Sequence, residues 1–317
     1  MALQLGYLLP TRERIMVGKH DMQEILRLGD IADELGIDSV WVGDSLLAKP
    51  RHDPLTLIGA IAGRTNRVRI GTAVLLPMLR NPVVLAHQVA TLDQISEGRV
   101  ILGIGTARDV PAIRMEFEAA GVPFEKRIGR MLEQIRLCRA LWKGKPVDWD
   151  GLWTIEQGQL APKPYTEGGP EIWSGGGVEA ALKRSARYFD GWFPSGSGTG
   201  KDWAKDWNKV QRFAKGAGRN PDNITGAAYV TVSINDDQVQ ADTELDDYLS
   251  SYYLAPAEVI RRQQYCFAGP RSDAIDWLGD FVSGGATHIC VRFTGSDDVA
   301  QMEELVRMRE ELLAGVG

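Results

Sequence analysis

The chain has 317 residues, of which 44% are hydrophobic and 25% are charged, proportions typical of a globular protein. A formal net charge of -6 and an isoelectric point near 5.4 argue against nucleic acid or an anionic membrane surface as a partner, because both repel an acidic protein. No basic stretch precedes the apolar residues at the amino terminus, and no run of about 18 apolar residues occurs. We therefore predict a cytoplasmic protein that acts on a small molecule.

Strand-like and helix-like segments alternate along the first half of the chain, a pattern typical of parallel βα units. Strands are predicted at 3–9, 39–42, 68–76 and 100–104, and helices at 21–35, 54–63, 82–95 and 127–142. Proline follows Asp53 and Asn81 where two of these helices begin, which is a common first-turn signal. The late start of the fourth helix leaves a loop of roughly 20 residues, a length usual for functional loops.

The second half continues the alternation with less regular spacing. Residues 147–165, which include Trp149 and Trp153, predict a small β excursion on the exterior. Further strands are predicted at 172–173, 192–193, 227–234 and 288–293. An irregular, mostly helical stretch is predicted at 236–269, and a final helix at 299–313. Eight βα units predict an α/β fold, a single (β/α)8 TIM barrel domain over residues 1–317 with insertions in its βα loops. A doubly wound open sheet is the competing fold, but its glycine-rich loop usually follows the first strand rather than the fifth.

A glycine-rich turn follows the fifth strand, in the segment EIWSGGGVEAALKRSARYFDGW that begins at Glu171. Glycine allows the backbone to approach an anion closely, and a helix that opens at Val178 presents free N–H groups and the positive end of its dipole. This pattern predicts a binding site for the phosphate of a cofactor. The alternative is a glycine-rich turn that binds nothing.

Ionisable side chains are scarce where the predicted strands end, which is where barrel enzymes carry their chemistry. The chain lacks the paired carboxylates, ligand-spaced histidines and inner-strand lysine that would indicate hydrolysis, metal catalysis or Schiff-base chemistry. A sugar-phosphate isomerase or aldolase is therefore disfavoured, and we predict no metal. The chemistry is expected to belong to a bound cofactor. The widely spaced cysteines are predicted to be reduced thiols and are Cys138, Cys266 and Cys290.

Three collinear blocks resemble the bacterial luciferase-like superfamily of flavin- and deazaflavin-dependent oxidoreductases on (β/α)8 barrels. They are IGTAVLLPMLRNPVVLAHQVATLDQISEGRVILGIGTA at 70–107, IGRMLEQIRLCRALWKG at 128–144, and the glycine-rich segment quoted above. The resemblance implies a phosphate on the glycine-rich turn, hydroxyl contacts from the ends of two strands, and a non-prolyl cis peptide bond, between Ala73 and Val74, that presses on the cofactor ring. The residues that match these cofactor contacts are Asp44, Ala73, Val74, Thr106, Ser174, Gly175, Gly176, Gly177, Val178 and Ser195.

The resemblance implies coenzyme F420, the deazaflavin, as cofactor, with FMN as the alternative. Many F420-dependent members carry an aspartate at the position of Asp44, and the chain has no long inserted loop of the kind several FMN monooxygenases contain. Those members often follow that aspartate with a histidine and place a glutamate after the fourth strand. Here Ser45 follows Asp44, and Ala107 and Arg108 follow the fourth strand. These departures argue against the sugar-phosphate and alcohol dehydrogenase types.

The function predicted is F420-dependent hydride transfer to or from a small organic substrate. The alternatives are an FMNH2-dependent monooxygenase that uses molecular oxygen and a non-catalytic flavin-binding barrel. The candidate catalytic residues are Asp44, Ser45 and His52. Asp44 can instead cap the following segment, and His52 can be an ordinary loop residue.

Several residues near the strand ends keep two interpretations. Arg108 can hold a phosphate or an acidic cofactor tail, or it can be a solvated loop residue. Trp173 and Trp192 are predicted to pack the barrel rather than to stack on a ligand. The tyrosine run at 248–254 can line a substrate pocket or a dimer contact, and we predict a homodimer.

Overall fold

The computed structural model describes residues 3–315. The strands are β1 Gln4–Leu8, β2 Ser39–Val42, β3 Arg69–Thr72, β4 Val100–Ile104, β5 Val147–Asp150, β6 Thr154–Gly158, β7 Glu171–Ser174, β8 Gly191–Trp192, β9 Thr225–Ile234, β10 Tyr265–Gly269 and β11 His288–Phe293. The helices are α1 Thr11–Met16, α2 Met22–Glu34, α3 Pro54–Ala62, α4 Pro82–Ser96, α5 Pro111–Ala119, α6 Arg127–Leu141, α7 Glu179–Tyr188, α8 Gly200–Gly216, α9 Gln238–Tyr253, α10 Ala257–Arg261, α11 Arg271–Ser283 and α12 Asp298–Gly315.

Eight parallel strands close into a barrel, so the predicted fold is confirmed. Around the barrel they run β1, β2, β3, β4, β7, β8, β9 and β11, and β11 pairs with β1 to complete the ring. Strand β9 is long enough to pair with β8 near its start and with β10 over its second half. The hairpin of β5 and β6 forms a separate antiparallel sheet, which matches the predicted β excursion. In this order β7 lies opposite β1 across the barrel.

The predicted helix starts at the Asp-Pro and Asn-Pro pairs are confirmed. The Asp53 carboxylate accepts a hydrogen bond from the Thr56 N–H at 2.9 Å, and the Asn81 side chain accepts one from the Val83 N–H at 2.9 Å. Each side chain satisfies a donor that the first helical turn leaves free, while the proline that follows has no N–H to satisfy.

The long loop predicted after β4 is partly wrong, because it contains the helix α5. This helix begins at Pro111 and buries Ile113, Glu116 and Phe117. A fully buried glutamate interrupts the apolar stripe that would have indicated an amphipathic helix. The prediction for 236–269 misses the short strand β10, which follows α9 and α10. This strand gives a weak sequence signal because it has only five residues and pairs with only the second half of β9.

Large aromatic side chains fill the interior of the barrel. Trp41 lies 5.4 Å from Trp173 and 4.8 Å from Phe193, measured between ring centroids. Space for Trp41 comes from Gly71, since a Cβ atom there would lie 2.3 Å from the indole ring. Trp173 is fully buried in this cluster, which confirms its predicted packing role.

The helices of the described part of the chain include none with the length and apolar run that crossing a bilayer requires. The cysteines form no disulfide, and Cys138 and Cys290 are buried. Burial raises the pKa of the Cys138 thiol to about 12, so this side chain is an unreactive part of the core.

Candidate active site

The glycine-rich turn lies at the carboxyl end of β7, as the sequence predicts. A Cβ atom on Gly175 would lie 2.6 Å from the Phe193 carbonyl oxygen, so only glycine fits this close approach of two backbones. Gly176 has φ of +109°, a left-handed conformation that other residues rarely adopt. Its carbonyl oxygen accepts a hydrogen bond from Trp192 Nε1 at 3.0 Å, which fixes the turn from below.

The N–H groups that follow are free to bind an anion. Helix α7 begins at Glu179 after Val178, whose side chain is 72% exposed. Within residues 3–315, the N–H groups of Gly176, Gly177 and Val178 donate to no protein acceptor. Free donors beside the positive end of a helix dipole fit a phosphate group. Ser174 lies beneath the turn, 1% exposed, and its carbonyl oxygen accepts a hydrogen bond from Ser185 Oγ at 3.1 Å.

Thr106 and Ser195 lie at the same end of the barrel, after β4 and β8. Both are half-buried. The Thr106 carbonyl oxygen accepts a hydrogen bond from Arg127 Nε at 2.8 Å, and the Ser195 carbonyl oxygen accepts one from the Tyr265 N–H at 3.2 Å. Neither hydroxyl has a hydrogen-bond partner among the described residues, so both are available to a ligand.

The peptide bond between Ala73 and Val74, which the resemblance singles out, is cis. It follows β3, between β2 and β4: the Ala73 N–H donates to the Val42 carbonyl oxygen at 2.7 Å, and the Leu75 N–H donates to the Gly103 carbonyl oxygen at 2.7 Å. Both side chains pack against the aromatic cluster of the barrel interior.

Asp44 follows β2, and its contacts hold neighbouring loops in place. Its side chain is 1% exposed and is bound by both terminal nitrogens of Arg80, at 2.6 and 3.1 Å. The same carboxylate accepts the Leu76 N–H at 2.9 Å. A bidentate arginine and a backbone donor hold this carboxylate tightly, so Asp44 fixes the segment that follows the cis bond.

Ser45 belongs to a loop, residues 45–48, that is fixed by a side chain the sequence analysis missed. Glu116 of α5 accepts hydrogen bonds from Ser45 Oγ at 2.8 Å and from the Ala48 N–H at 2.7 Å. It also accepts the N–H groups of Leu46 and Leu47, at 3.1 and 3.3 Å. A buried carboxylate that receives these donors anchors the loop after β2. Only the fold brings Glu116 to this loop, so the sequence carries no local signal for it.

His52 lies in the loop after β2 and is half-buried. Its Nδ1 is buried and has no hydrogen-bond partner among the residues described. Burial lowers the pKa of the His52 imidazole, and the nearby His20 lowers it further. Asp44 and Ser45 are bound to Arg80 and Glu116, so neither forms a hydrogen bond with His52.

The tyrosine run lies on α9, at the barrel mouth. Tyr252 is 2% exposed, and its ring centroid lies 4.9 Å from that of Tyr253. Three arginines contact the Tyr252 ring, with guanidinium carbons 5.2, 5.4 and 4.5 Å from its centroid. They are Arg12, Arg51 and Arg292. Leu254, in contrast, is 77% exposed and belongs to the surface.

Lys49 adds a fourth cation, with its Nζ 4.3 Å from the centroid of the Tyr253 ring. Burial, together with the nearby charges of Arg51, Arg12, Arg108 and Arg292, lowers the pKa of Lys49 to about 7. We refer to Arg12, Lys49, Arg51 and Arg292 as the cation cluster. Arg108 lies at its exposed edge and donates to the Gln263 side chain.

A cavity of about 740 Å³ adjoins the cluster on the side of β1 and β11. Arg292 and Tyr252 line it together with the carboxylates of Glu13 and Asp298. The cavity does not reach the glycine-rich turn. No group of three or more His, Cys, Asp or Glu side chains within 3–315 is placed to hold a metal ion.

Known proteins are similar to this chain over most of its length. Residues 3–311 match the luciferase-like monooxygenase family. An F420-dependent glucose-6-phosphate dehydrogenase from Mycolicibacterium gilvum is 28% identical over 93% of this chain and 95% of its own length. An enzyme of the same name from Nocardia farcinica is 30% identical over 78% of this chain and 74% of its own length.

Solved structures show the same fold. A monooxygenase from Streptomyces bottropensis superposes with a TM-score of 0.80 at 23% identity, over 99% of this chain and 100% of its own. An F420-dependent secondary alcohol dehydrogenase, solved with an F420-acetone adduct, has a TM-score of 0.81 at 21% identity, over 97% of this chain and 98% of its own.

Proposed function

Because the chain belongs to the luciferase-like monooxygenase family, we propose that it is an oxidoreductase that uses coenzyme F420 for hydride transfer with a small organic substrate. The observation that carries the choice of F420 is that the relatives from Mycolicibacterium gilvum and Nocardia farcinica, similar over most of this chain, are F420-dependent enzymes by name. When bound, the deazaflavin supplies the hydride chemistry that the side chains lack.

The chain's own residues would bind and orient this cofactor. The N–H groups of Gly176, Gly177 and Val178 would hold its phosphate, with Gly175 and Ser174 shaping the turn. The hydroxyls of Thr106 and Ser195 would donate to its polar chain. Ala73 and Val74 would press on its ring, from the segment that Asp44 fixes.

The proposed proton transfer role belongs to His52, while Asp44 and Ser45 act as positioning residues. His52 is half-buried and its buried Nδ1 has no partner among residues 3–315, so the proton would be exchanged with a substrate hydroxyl through the other ring nitrogen, Nε2. His52→Gln should therefore lower kcat and leave KM nearly unchanged. The homodimer and the cytoplasmic location predicted from the sequence stay predictions.

The test is a parallel titration of the purified protein with F420, FMN and FMNH2, in which the melting temperature is measured at each ligand concentration. We expect selective stabilisation by F420. Gly176→Ala should weaken F420 binding at least tenfold, because alanine is strained at this backbone conformation. Gly129→Ala is the matched control, since nothing lies near that glycine.

Turnover separates the proposal from its competitor. We expect hydride transfer with F420 under anaerobic conditions. Glucose 6-phosphate and a secondary alcohol, which the names of the relatives contain, are assayed as reference donors, and Ser45, Ala107 and Arg108 predict that neither is the preferred one. Selective binding of FMN together with oxygen-dependent turnover by FMNH2 would overturn the proposal in favour of a monooxygenase.

A further inference from the structure

The cation cluster at the barrel mouth has more positive charge than the protein around it neutralises. Among residues 3–315, none of Arg12, Lys49, Arg51 and Arg292 forms an ion pair with a carboxylate, whereas other arginines of the chain do. Burial of like charges without a counter-ion is costly, because the interior solvates them poorly. Such a cluster is stable in a working enzyme when a ligand brings the opposite charge.

The bonds that these cations do make leave donors free. Arg292 is 1% exposed, and its Nε and Nη2 donate to Thr231 Oγ1 at 3.1 and 2.7 Å, while its Nη1 donates to Tyr253 Oη at 3.1 Å. Arg51 donates from Nη2 to Tyr252 Oη at 2.7 Å, but its buried Nε has no partner in the described part of the chain. All their acceptors are neutral hydroxyls, so no bond cancels the charge.

Tyrosine rings account for the packing of the cluster but not for its charge. A cation over an aromatic ring gains about 0.5–2 kcal/mol. The rings of Tyr252 and Tyr253 are contacted by several cations at once, and these cations repel one another. Glu13 is the carboxylate whose charge acts on Arg12 and Arg51, but it supplies one negative charge against four cations. The tyrosine rings contact the cations without balancing their charge, so the cluster is suited to an anion.

The cluster is separate from the proposed phosphate site. Arg12 follows β1, Lys49 and Arg51 follow β2, and Arg292 lies on β11. The glycine-rich turn follows β7, which lies opposite β1 in the ring of strands. The end of β3, where the cofactor ring is proposed to lie, is next to β2, so an anion in the cluster would lie on the substrate side of the mouth.

We propose that the cation cluster binds an anionic group of the organic substrate, such as a carboxylate, sulfonate or phosphate, at the side of the barrel opposite the cofactor phosphate. This inference rests on the proposed function for the identity of the cofactor. Lys49 and Arg51 follow the loop that Glu116 fixes, so α5 positions two of the four cations.

The test is calorimetric titration with inorganic sulfate at constant ionic strength, with and without saturating F420. Sulfate can also bind the glycine-rich turn when F420 is absent, so we expect a saturable, Lys49-dependent sulfate site that persists when F420 saturates the protein. Lys49→Met should weaken it at least tenfold, and Lys49→Arg should restore most of the affinity. Lys145→Met is the matched control, because it removes the same charge from an exposed position far along the chain, between α6 and β5.

Three outcomes would overturn the inference, and a fourth would overturn only the proposed function. Absence of saturable binding at saturating F420, or equal binding by Lys49→Met and Lys145→Met, would show that the cluster is not an anion site. Displacement of the Lys49-dependent sulfate by F420 would assign the cluster to the acidic tail of the cofactor instead. A protein that binds sulfate through Lys49 but does not bind F420 would refute the proposed function and leave the anion site standing.

Discussion

The two ends of the barrel treat buried polar groups in opposite ways. At the amino-terminal end, His288 Nε2 lies 2.8 Å from Ser39 Oγ and its Nδ1 lies 3.2 Å from Gln4 Oε1, while Trp41 Nε1 donates to Ser39 Oγ at 2.7 Å. Both ring nitrogens of His288, the Ser39 hydroxyl and the Trp41 indole N–H are paired, and each partner is neutral. At the carboxyl end, the cation cluster keeps unpaired charge.

This difference indicates that the amino-terminal end of the barrel contributes to stability and the carboxyl end to ligand binding. Burial lowers the pKa of His288 to about 3, so the imidazole is neutral and costs little in the interior. Burial of the cation cluster costs desolvation free energy, and no ion pair that residues 3–315 form in the ligand-free protein offsets this cost. A site that is costly without its ligand is expected at the end of a barrel that carries the chemistry.

The largest expected effect comes from the aromatic cluster. Trp173→Ala should lower the free energy of unfolding by about 3–5 kcal/mol, because it opens a large cavity against Trp41 and Phe193. Urea denaturation measures this loss. Tyr253→Ala at the mouth is the comparison variant, and an equal loss there would remove the distinction between the two ends.

The next effect is the pH dependence of stability from His288. The folded pKa lies below the unfolded value near 6.5, so the unfolded chain binds the proton first as the pH falls. Between pH 6.5 and 5 the free energy of unfolding should therefore fall by about 1.4 kcal/mol per pH unit from this group. His288→Asn should show a smaller slope in urea denaturation. The same slope in both proteins would contradict the neutral network.

A third effect is the pH dependence of sulfate affinity from Lys49. Its pKa is near 7, and the groups that face it are Arg12, Arg51, Arg108, Arg292 and the ring of Tyr253. The arginines stay charged, so Lys49 is the group that loses its proton. Above pH 7, sulfate binding should weaken by up to about tenfold per pH unit, because Lys49 must then take up a proton. In calorimetric titrations, the sulfate affinity of Lys49→Met should not change with pH over this range.

The smallest effect concerns the stability of the ligand-free protein. Lys49→Met should raise the free energy of unfolding by about 1 kcal/mol at pH 6 without multivalent anions, since it removes a repelled buried charge. Lys145→Met should change it by less than about 0.5 kcal/mol. A loss of stability in Lys49→Met would mean that the cluster is compensated within the protein.

The sequence predicts most of the barrel because each βα unit has its own local pattern. The turn at Gly175 and Gly176 is predictable for the same reason, since neighbouring residues define it, whereas the cis bond between Ala73 and Val74 is indicated only by the resemblance to a known family. Arg12 reaches the Tyr252 carbonyl oxygen across 240 residues of sequence, at 3.0 Å. No local period reports such a contact, so the cation cluster and the role of Glu116 needed the structure.

The clamp formed by Glu116 has a consequence for exchanging parts between related enzymes. Its bond to Ser45 Oγ joins two segments 71 residues apart, the loop after β2 and the helix α5. A chimera whose foreign loop at 45–48 lacks Ser45 and does not bring its backbone N–H groups to Glu116 would leave a buried carboxylate without its donors, at a cost of about 1–3 kcal/mol or more. The loop and α5 therefore form one transplantable unit, and a change of substrate preference by loop grafting has to move both.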